Sequence, residues 1–259
     1  MPFHITGGIS YFQFNQFDQS IRHAIFTRRG GVSPEPWSSL NMGSTVGDDP
    51  DRVRENRRLA LASLEIEASS VYDVWQVHSV EVVIANAPRS PAMAHVQADA
   101  IITNQPQVVL MMRFADCVPI LLHDPVRKAV GIVHAGWMGT VRGIVSAAIE
   151  AMRKQYQTDS ADVIGAIGPS IGPDHYEVGS DVVNQVKHAF GRNASRILRD
   201  DGGVTSLNLW EANRLLLEQA GVGCIEVAGL CTACHTEDWF SHRAEKGHTG
   251  RFGAIIGLM

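Results

Sequence analysis

Three short strings in the sequence each carry a histidine or a cysteine at the end of an apolar run. They are Trp75-Gln-Val-His78, Phe114-Ala-Asp-Cys117 and Ile132-Val-His134. Neutral imidazole and thiolate are ligands that Zn²⁺ prefers, and three protein ligands leave a fourth tetrahedral position open. Water at such a position has its pKa lowered to about 7, which supplies a nucleophile at neutral pH. The three residues are therefore candidate ligands of a catalytic metal.

The spacing of these residues does not by itself require a metal. The candidates are 39 and 17 residues apart (117 − 78 and 134 − 117), and ligands so dispersed match no short metal-binding motif. A single histidine at a strand end is more often a hydrogen-bonded core residue, and a single cysteine is more often a small buried hydrophobic residue. A further interpretation makes Cys117 a nucleophile that His134 activates without a metal.

Two aspartates close to these strings are candidates for proton transfer. Asp99 follows Ala98, and Asp116 directly precedes Cys117. A carboxyl group can move a proton between a nucleophile and a leaving group, whereas one beside a ligand can instead hold that ligand in position. We expect Asp99, Asp116 and Cys117 to be the catalytic residues, and both roles are open for Asp116.

Basic and amide side chains could bind the substrate. Phosphate requires guanidinium and backbone N–H donors, which Arg28, Arg243 and Arg251 provide together with the glycines beside them. The turn at 136–140, opening a helix, is a further candidate for anion binding. Each arginine could equally be a solvated surface residue. Asn41 could hydrogen-bond a ribose or a base, although asparagine in a loop more often forms a turn.

The C-terminal third contains a second group of metal-type residues, in the string Cys231-Thr-Ala-Cys234-His235. The string matches the pattern for covalent haem attachment, which needs a helical cytochrome context that this strand-rich chain lacks. With His242 following, it also resembles a zinc finger, but the gap is seven residues (242 − 234 − 1) where a finger has about twelve. We therefore expect neither a haem attachment site nor a zinc finger. A second, structural metal site stays an alternative.

The apolar pattern predicts the elements that must position these residues. Strands are predicted at 9–14, 23–27, 71–77, 80–85, 108–114, 118–123, 129–133, 163–167, 225–230 and 252–256. Helices are predicted at 51–64, 140–155, 181–190 and 207–220. The strands are too dense for simple alternation with helices, so we expect an α/β fold with two sheets and outer helices. No linker or repeat divides the chain, which predicts one domain over residues 1–259.

Composition and charge limit the partners. Charged residues make up 19% of the chain and the net charge is −5, so no basic field attracts nucleic acid or an anionic membrane. The longest strongly apolar stretch, 108–112, is too short to cross a bilayer. The N-terminus lacks the pattern of a secretory signal and four cysteines make no disulfide scaffold, so we expect a cytoplasmic protein with reduced thiols. We expect a monomer or a weak homodimer.

Several strings match, in order, those of a known family. They are Arg28-Arg-Gly-Gly-Val-Ser33, Ser39-Leu-Asn41, His78-Ser-Val, Ala98-Asp-Ala100, Ala115-Asp-Cys117-Val-Pro-Ile, His134-Ala-Gly-Trp-Met-Gly-Thr140, Gly168-Pro-Ser-Ile-Gly172 and Thr249-Gly-Arg251. Together they resemble the laccase-domain, or YfiH-type, family. The resemblance implies that zinc binds His78, Cys117 and His134. It also implies a four-layer α/β/β/α sandwich with mixed sheets.

The resemblance implies a purine nucleoside enzyme. Members of this family were first described as polyphenol oxidases and are now assigned phosphorolysis of adenosine, inosine and methylthioadenosine, with deamination of adenosine. The expected partners are therefore a nucleoside and phosphate. A hydrolase that edits peptidoglycan precursors, dependent on zinc or on Cys117, is the alternative. The eleven histidines form no His-x-His pair, which disfavours a multicopper oxidase, although Cu(II) could occupy a His/Cys site.

Overall fold

The structure, a computed structural model, describes residues 2–259 and contains two six-stranded mixed sheets. The first sheet has the order β1 (Phe3–Thr6), β2 (Ile9–Phe12), β3 (Ile21–Phe26), β14 (Phe252–Leu258), β7 (Val109–Phe114) and β4 (Val71–Asp73). The second has the order β13 (Cys224–Val227), β10 (Ile164–Ile167), β8 (Val118–Asp124), β9 (Ala129–Ala135), β6 (Ala100–Thr103) and β5 (Val82–Ile84). The short strands β11 (Leu198–Asp201) and β12 (Val204–Leu207) form a separate antiparallel hairpin.

Most neighbouring strands are antiparallel. The pairs β4–β7, β5–β6 and β10–β13 are parallel. The helices are α1 (Pro50–Ala62), α2 (Trp137–Arg142), α3 (Ile144–Tyr156), α4 (Ser180–Phe190), α5 (Ala194–Ile197) and α6 (Leu209–Gln219). No helix within residues 2–259 combines the length and the apolar character that crossing a bilayer would need. The predicted α/β fold with mixed sheets is confirmed.

The two faces of each central strand both pack against other elements, which explains why these strands are mainly apolar. In β7, Leu110 and Met112 belong to the core between the two sheets, whereas Val109 and Met111 pack with Leu61 of α1 on the opposite face. Successive side chains of a strand point to opposite faces, so a strand covered on both faces carries no polar alternation. The third core lies between β9 and the helices α3 and α6.

Helix ends differ from the prediction where backbone conformation overrides composition. Gly143, with a φ of 84°, divides the predicted helix 140–155 into α2 and α3, because a left-handed residue ends the hydrogen-bonded ladder. Helix α6 begins later than predicted because the side chain of Asn208 accepts the N–H of Glu211 and caps it. Strand 71–77 was predicted too long, since β4 ends at Asp73. The prediction missed β1, β6, β11 and β12.

Candidate metal centre

Three side chains from different parts of the chain converge on one point. Cys117 lies in the turn between β7 and β8, which belong to different sheets, and His134 is the penultimate residue of β9. His78 follows β4 by five residues (78 − 73) and lies in a loop, which corrects the predicted strand end. One ligand atom from each residue lies within 4.8 Å of the other two. The three residues that the sequence analysis selected as candidate ligands therefore lie together in the structure.

The distances suit a tetrahedral metal ion. Sγ of Cys117 and Nε2 of His78 are 3.8 Å apart, and the rings of His78 and His134 have centroids separated by 5.0 Å. Metal–ligand bonds of about 2.0–2.3 Å at tetrahedral angles require donor separations of about 3.4–3.6 Å. A contraction of a few tenths of an ångström would bring Cys117 and His78 into that range.

Asp99 positions two of the three candidate ligands. Its Oδ1 lies 2.8 Å from Nδ1 of His134, and its Oδ2 accepts the backbone N–H groups of Val77 and Ser79 on either side of His78, at 3.1 and 2.6 Å. The bond to Nδ1 leaves Nε2 of His134 directed to the centre, an arrangement typical of metal-bound histidine. Asp99 therefore fixes both the tautomer of one ligand and the loop of another.

The contacts of Asp99 favour a positioning role over the proton-shuttle role predicted from the sequence. Burial by itself would raise the pKa of Asp99, but hydrogen bonds from His134 and Ser79 outweigh burial and hold that pKa at about 2. The side chain is fully buried and its oxygens are committed to protein donors. Asp99 is thus a carboxylate at neutral pH, and we assign it a positioning role.

Gly136 keeps the space at the centre open. A Cβ atom at this position would lie 2.9 Å from Sγ of Cys117 and 3.0 Å from Cδ2 of His78, which is closer than real Cβ contacts. The backbone of Gly136 has a φ of −70°, which any residue can adopt. The glycine is therefore required by its neighbours at this centre and not by its own backbone conformation.

Asp116 connects the turn of Cys117 to the C-terminal part of the chain. Its Oδ1 accepts the hydroxyl of Thr232 at 2.7 Å, and its Oδ2 accepts the backbone N–H of Arg243 at 2.6 Å. Asp116 has a φ of 80° and His78 has a φ of 59°, both in the left-handed region that costs a non-glycine residue about 1–3 kcal/mol. Of the two roles predicted for Asp116, these contacts support the positioning of Cys117.

Electrostatics favour an ionised thiol at the centre. Burial by itself would raise the pKa of Cys117, but His134 and His78 lower it to about 6. Burial would likewise lower the pKa of His134, whereas the neighbouring Cys117 and Asp99 raise it to about 9. Without a metal, the pair is therefore a thiolate and an imidazolium.

A cleft of about 210 Å³ opens beside His78 and His134. Its other lining residues are Gly43, Ser44, Thr45, Val74, Trp75, Gln76, His95, Arg113 and Arg251. Trp75 is 51% exposed and offers an aromatic face. Sequence reasoning missed most of these lining residues. A signal was available for three of them, since Trp75 and Gln76 lie in the string that ends at His78 and Arg113 directly precedes the string that ends at Cys117.

The cleft residue Arg113 belongs to a cluster with an excess of positive charge. Arg57, Arg89 and Arg113 surround the single carboxylate of Asp73, with Arg113 and Arg89 at 2.7 and 2.8 Å. Burial alone would raise the pKa of Asp73, but Arg113, Arg89 and the nearby His95 bring it to about 2. The three guanidinium groups therefore face one negative charge, which favours an anionic ligand.

Arg251 lines the cleft and keeps guanidinium donors for a ligand. Its Nη1 donates to the backbone carbonyl oxygens of Thr249 and Gly250, and within residues 2–259 no carboxylate lies in salt-bridge range of it. Burial lowers the pKa of Arg251, and the charges of Cys117 and Asp116 partly offset that effect. Arg251 therefore reaches the same centre as the candidate ligands.

Asn41 and Arg28 differ from their predicted roles as substrate ligands. Asn41 is fully buried, and its amide bonds Gly43, Asp48 and the backbone N–H of Arg251. Arg28 does not line the cleft, because its guanidinium pairs with Glu245 at 3.0 Å and stacks on Phe240. Asn41 therefore positions Arg251, and Arg28 holds two chain segments together.

Arg243 and the turn 136–140 do not line the cleft. The Arg243 guanidinium is 5.1 Å from the ring centroid of Tyr176 and donates to the carbonyl oxygen of Glu177. In the turn, the hydroxyl of Thr140 donates to Asn213 and is buried. Arg243 keeps free donors, whereas Thr140 contributes to packing.

The comparison with known families decides the relationship of this chain. Residues 22–259 match the family described as multi-copper polyphenol oxidoreductase laccase. The chain belongs to this family. Within the family, a purine nucleoside phosphorylase of Deinococcus radiodurans is 40% identical over 92% of this chain and 90% of its own length. The purine nucleoside phosphorylase YlmD of Geobacillus stearothermophilus is 37% identical over 90% and 88% of the two chains.

Solved structures of the family share the fold. The crystal structure of the Bacillus licheniformis hypothetical protein YfiH gives a TM-score of 0.91 at 33% identity and covers 100% of this chain and 99% of its own. The structure of YlmD from Geobacillus stearothermophilus gives a TM-score of 0.89 at 32% identity, over 99% and 98%. The resemblance inferred from the sequence strings is confirmed.

The family description names copper, but the donors in this member are few. Within residues 2–259, two groups of three His, Cys or carboxylate residues could hold a metal ion, His78–Cys117–His134 and His175–Cys231–Cys234. A multicopper oxidase needs several coppers bound mainly by imidazole, whereas the two groups supply three imidazoles and three thiols. This laccase-like chain therefore has candidate metal sites without the donor set of a multicopper cluster.

Proposed function

We propose that the protein is a zinc-dependent purine nucleoside phosphorylase that also deaminates adenosine. The supporting observation is that one cleft is lined by His78 and His134, two of the three convergent metal donors, together with the guanidinium of Arg251 and the exposed ring of Trp75. The names of the relatives agree with this proposal.

Zinc fits the donor set of His78, Cys117 and His134. Two imidazoles and one thiolate are ligands that Zn²⁺ takes in tetrahedral geometry, and three of them leave one position for a reactant. When bound, zinc would supply Lewis-acid polarisation of a substrate atom. Asp99 would hold His134 in the ligating tautomer, as carboxylates commonly do for metal-bound histidine.

In phosphorolysis, a phosphate oxygen forms a bond to C1′ of the ribose while the bond between C1′ and N9 breaks. The bonding electrons leave with the purine, which takes up a proton, and the products are the free base and ribose 1-phosphate. Arg251, with the hydroxyls of Ser44 and Thr45 in the same wall, would hold the phosphate. Trp75 would stack on the purine, because an exposed aromatic face binds a base without needing a particular base edge.

Deamination acts on a different atom of the bound nucleoside, C6 of the purine, and uses water instead of phosphate. Water adds to C6 of adenosine, and the amino group leaves as ammonia to give inosine. Because no phosphate takes part, Arg251 contributes to phosphorolysis alone. Adenosine, inosine and methylthioadenosine share the purine and the ribose that this cleft would contact, so all three are proposed substrates.

Metal analysis combined with chromatography tests the proposal. We expect zinc in the purified protein, adenine from adenosine only when phosphate is added, and inosine with or without phosphate. Arg251→Ala should raise the phosphate KM about tenfold or more and leave deamination within about twofold, because one charged hydrogen-bonding contact contributes about 1.5–3 kcal/mol. Arg127→Ala, which removes an exposed arginine bonded to the carbonyl oxygen of Gln157, is the matched control. An equal loss of both reactions in Arg251→Ala would contradict the division of roles.

A metal-free cysteine hydrolase is the second candidate. The lowered pKa of Cys117 beside His134 favours it, because a thiolate is the nucleophile in such enzymes. The hydrolase predicts that dialysis against a chelator leaves activity intact and that Cys117→Ser abolishes it. Loss of activity on chelation, restored by added zinc, would favour the phosphorylase.

A further inference from the structure

A second group of metal-type side chains lies outside the cleft. Nδ1 of His175 is 3.5 Å from Sγ of Cys234 and 3.9 Å from Sγ of Cys231. One ligand atom from each of the three residues lies within 4.8 Å of the others. His175 and Cys234 are exposed, whereas Cys231 is buried, so an ion could enter from solvent.

The chemistry of this cluster suits a thiophilic cation. Two cysteines separated by two residues form a recurrent half-site for zinc, and an imidazole is its common companion. Tetrahedral zinc would place sulfur and nitrogen ligands about 3.6 Å apart, close to the observed sulfur–nitrogen distances of 3.5 and 3.9 Å. The backbone N–H of Gly172 also donates to Sγ of Cys231 at 3.2 Å, which stabilises an ionised sulfur.

The cluster joins two segments that flank the first metal centre. Cys231 precedes Thr232, whose hydroxyl bonds Asp116. His175 precedes Tyr176, whose ring lies under the guanidinium of Arg243. An ion held by the cluster would therefore tie the segment 172–176 to the turn 231–234.

We propose that His175, Cys231 and Cys234 bind a second Zn²⁺ ion, which clips these two segments together. All four cysteines of the chain are free thiols, so both sulfurs are available as ligands. The two thiolates balance the charge of the ion, and water completes the fourth position on the exposed side.

Metal content of single variants tests this site independently of nucleoside turnover. Mass-spectrometric metal analysis of the full chain, purified with a thiol reductant and dialysed, should give about two zinc ions per chain. His175→Ala and Cys234→Ser should each lose about one ion, and so should Cys117→Ala at the first centre. Cys224→Ser, which changes a cysteine whose thiol bonds Gln16, should lose none.

A second measurement does not depend on how well zinc survives purification. Cobalt added to the Cys117→Ala protein should give a thiolate-to-cobalt charge-transfer band, which the double variant Cys117→Ala/Cys234→Ser should lack. Zinc content that is unchanged in both His175→Ala and Cys234→Ser would overturn the proposal. A disulfide between Cys231 and Cys234 in the purified protein, or copper in place of zinc at this cluster, would overturn it as well.

Discussion

Replacement of Asp99 by asparagine should remove the metal-binding form of His134. The N–H groups of Val77 and Ser79 donate to one oxygen of Asp99, so an asparagine must place its carbonyl oxygen there. Its NH₂ group then faces Nδ1 of His134, which lies 2.8 Å from the other oxygen at present. Nδ1 must accept that hydrogen bond, and the ring proton moves to Nε2, where the metal would bind.

The expected magnitude follows from the same contacts. Loss of a hydrogen-bond partner of a ligating histidine lowers metal affinity about 10–100-fold, which corresponds to about 1.4–2.7 kcal/mol. We expect the upper end for Asp99→Asn, because the substitution inverts the tautomer instead of only weakening a bond. Against the effect of burial, hydrogen bonds from His134 and Ser79 hold the pKa of Asp99 at about 2, below the ordinary range of an aspartate. Asp99→Asn should therefore also lower the unfolding free energy of the metal-free protein at pH 7 by about 2 kcal/mol.

Competition with a chromophoric chelator measures the affinity, and circular dichroism shows whether the variant is folded. Asp124→Asn is the matched control, since Asp124 is a fully buried aspartate that accepts the N–H groups of Val126 and Arg127. It should keep the wild-type zinc affinity. A folded Asp99→Asn protein that binds zinc at the first centre as tightly as the wild type would refute the tautomer argument.

Three further predictions concern the centre, the fold and its pH dependence. Gly136→Ala should lower zinc affinity at least tenfold, because the added methyl group would lie 2.9 Å from the ligand sulfur. The control Gly179→Ala adds a methyl group with no atom within 4 Å and should keep the wild-type zinc affinity. The same chelator titration measures both variants. Treatment with a chelator should lower the melting temperature in a concentration-dependent manner, reversed by zinc and measured by calorimetry, because zinc stabilises the state that binds it. Burial lowers the pKa of His23 from 6.5 to about 4. The unfolded chain therefore binds this proton more tightly than the folded protein does. The unfolding free energy should fall by about 3 kcal/mol as the pH falls from about 6.5 to about 4. Urea denaturation across this pH range measures the decrease. His23→Gln keeps a hydrogen-bond acceptor but does not titrate, so its unfolding free energy should depend less on pH. An unchanged pH dependence in His23→Gln would contradict the assignment to His23.

The local pattern of the sequence was sufficient for the α/β fold class and for naming candidate ligands, whereas the set of three ligands was implied by the family resemblance. Strands such as β7 and β9 are mainly apolar because both of their faces are covered, and this property is visible in a single sequence. His78, Cys117 and His134 were found because donor chemistry depends on residue type. The helix break at Gly143 was missed, since composition does not report a positive φ.

The roles around the centre depended on contacts between distant segments. Register between β6 and β9 pairs Ala100 with Val133, which brings Asp99 beside His134, although the two residues are 35 apart in sequence. The same kind of long-range contact joins Asn41 to Arg251, which lines the cleft, whereas Arg28 lies outside it.

The second cluster shows the same limit most clearly. The sequence displayed Cys231 and Cys234 and suggested His235 or His242 as their companions, because these follow directly. The tertiary structure instead brings His175, which lies 56 residues before Cys231, to both sulfurs. Residue type and periodicity report chemistry and burial, whereas strand order and register decide which distant side chains become neighbours.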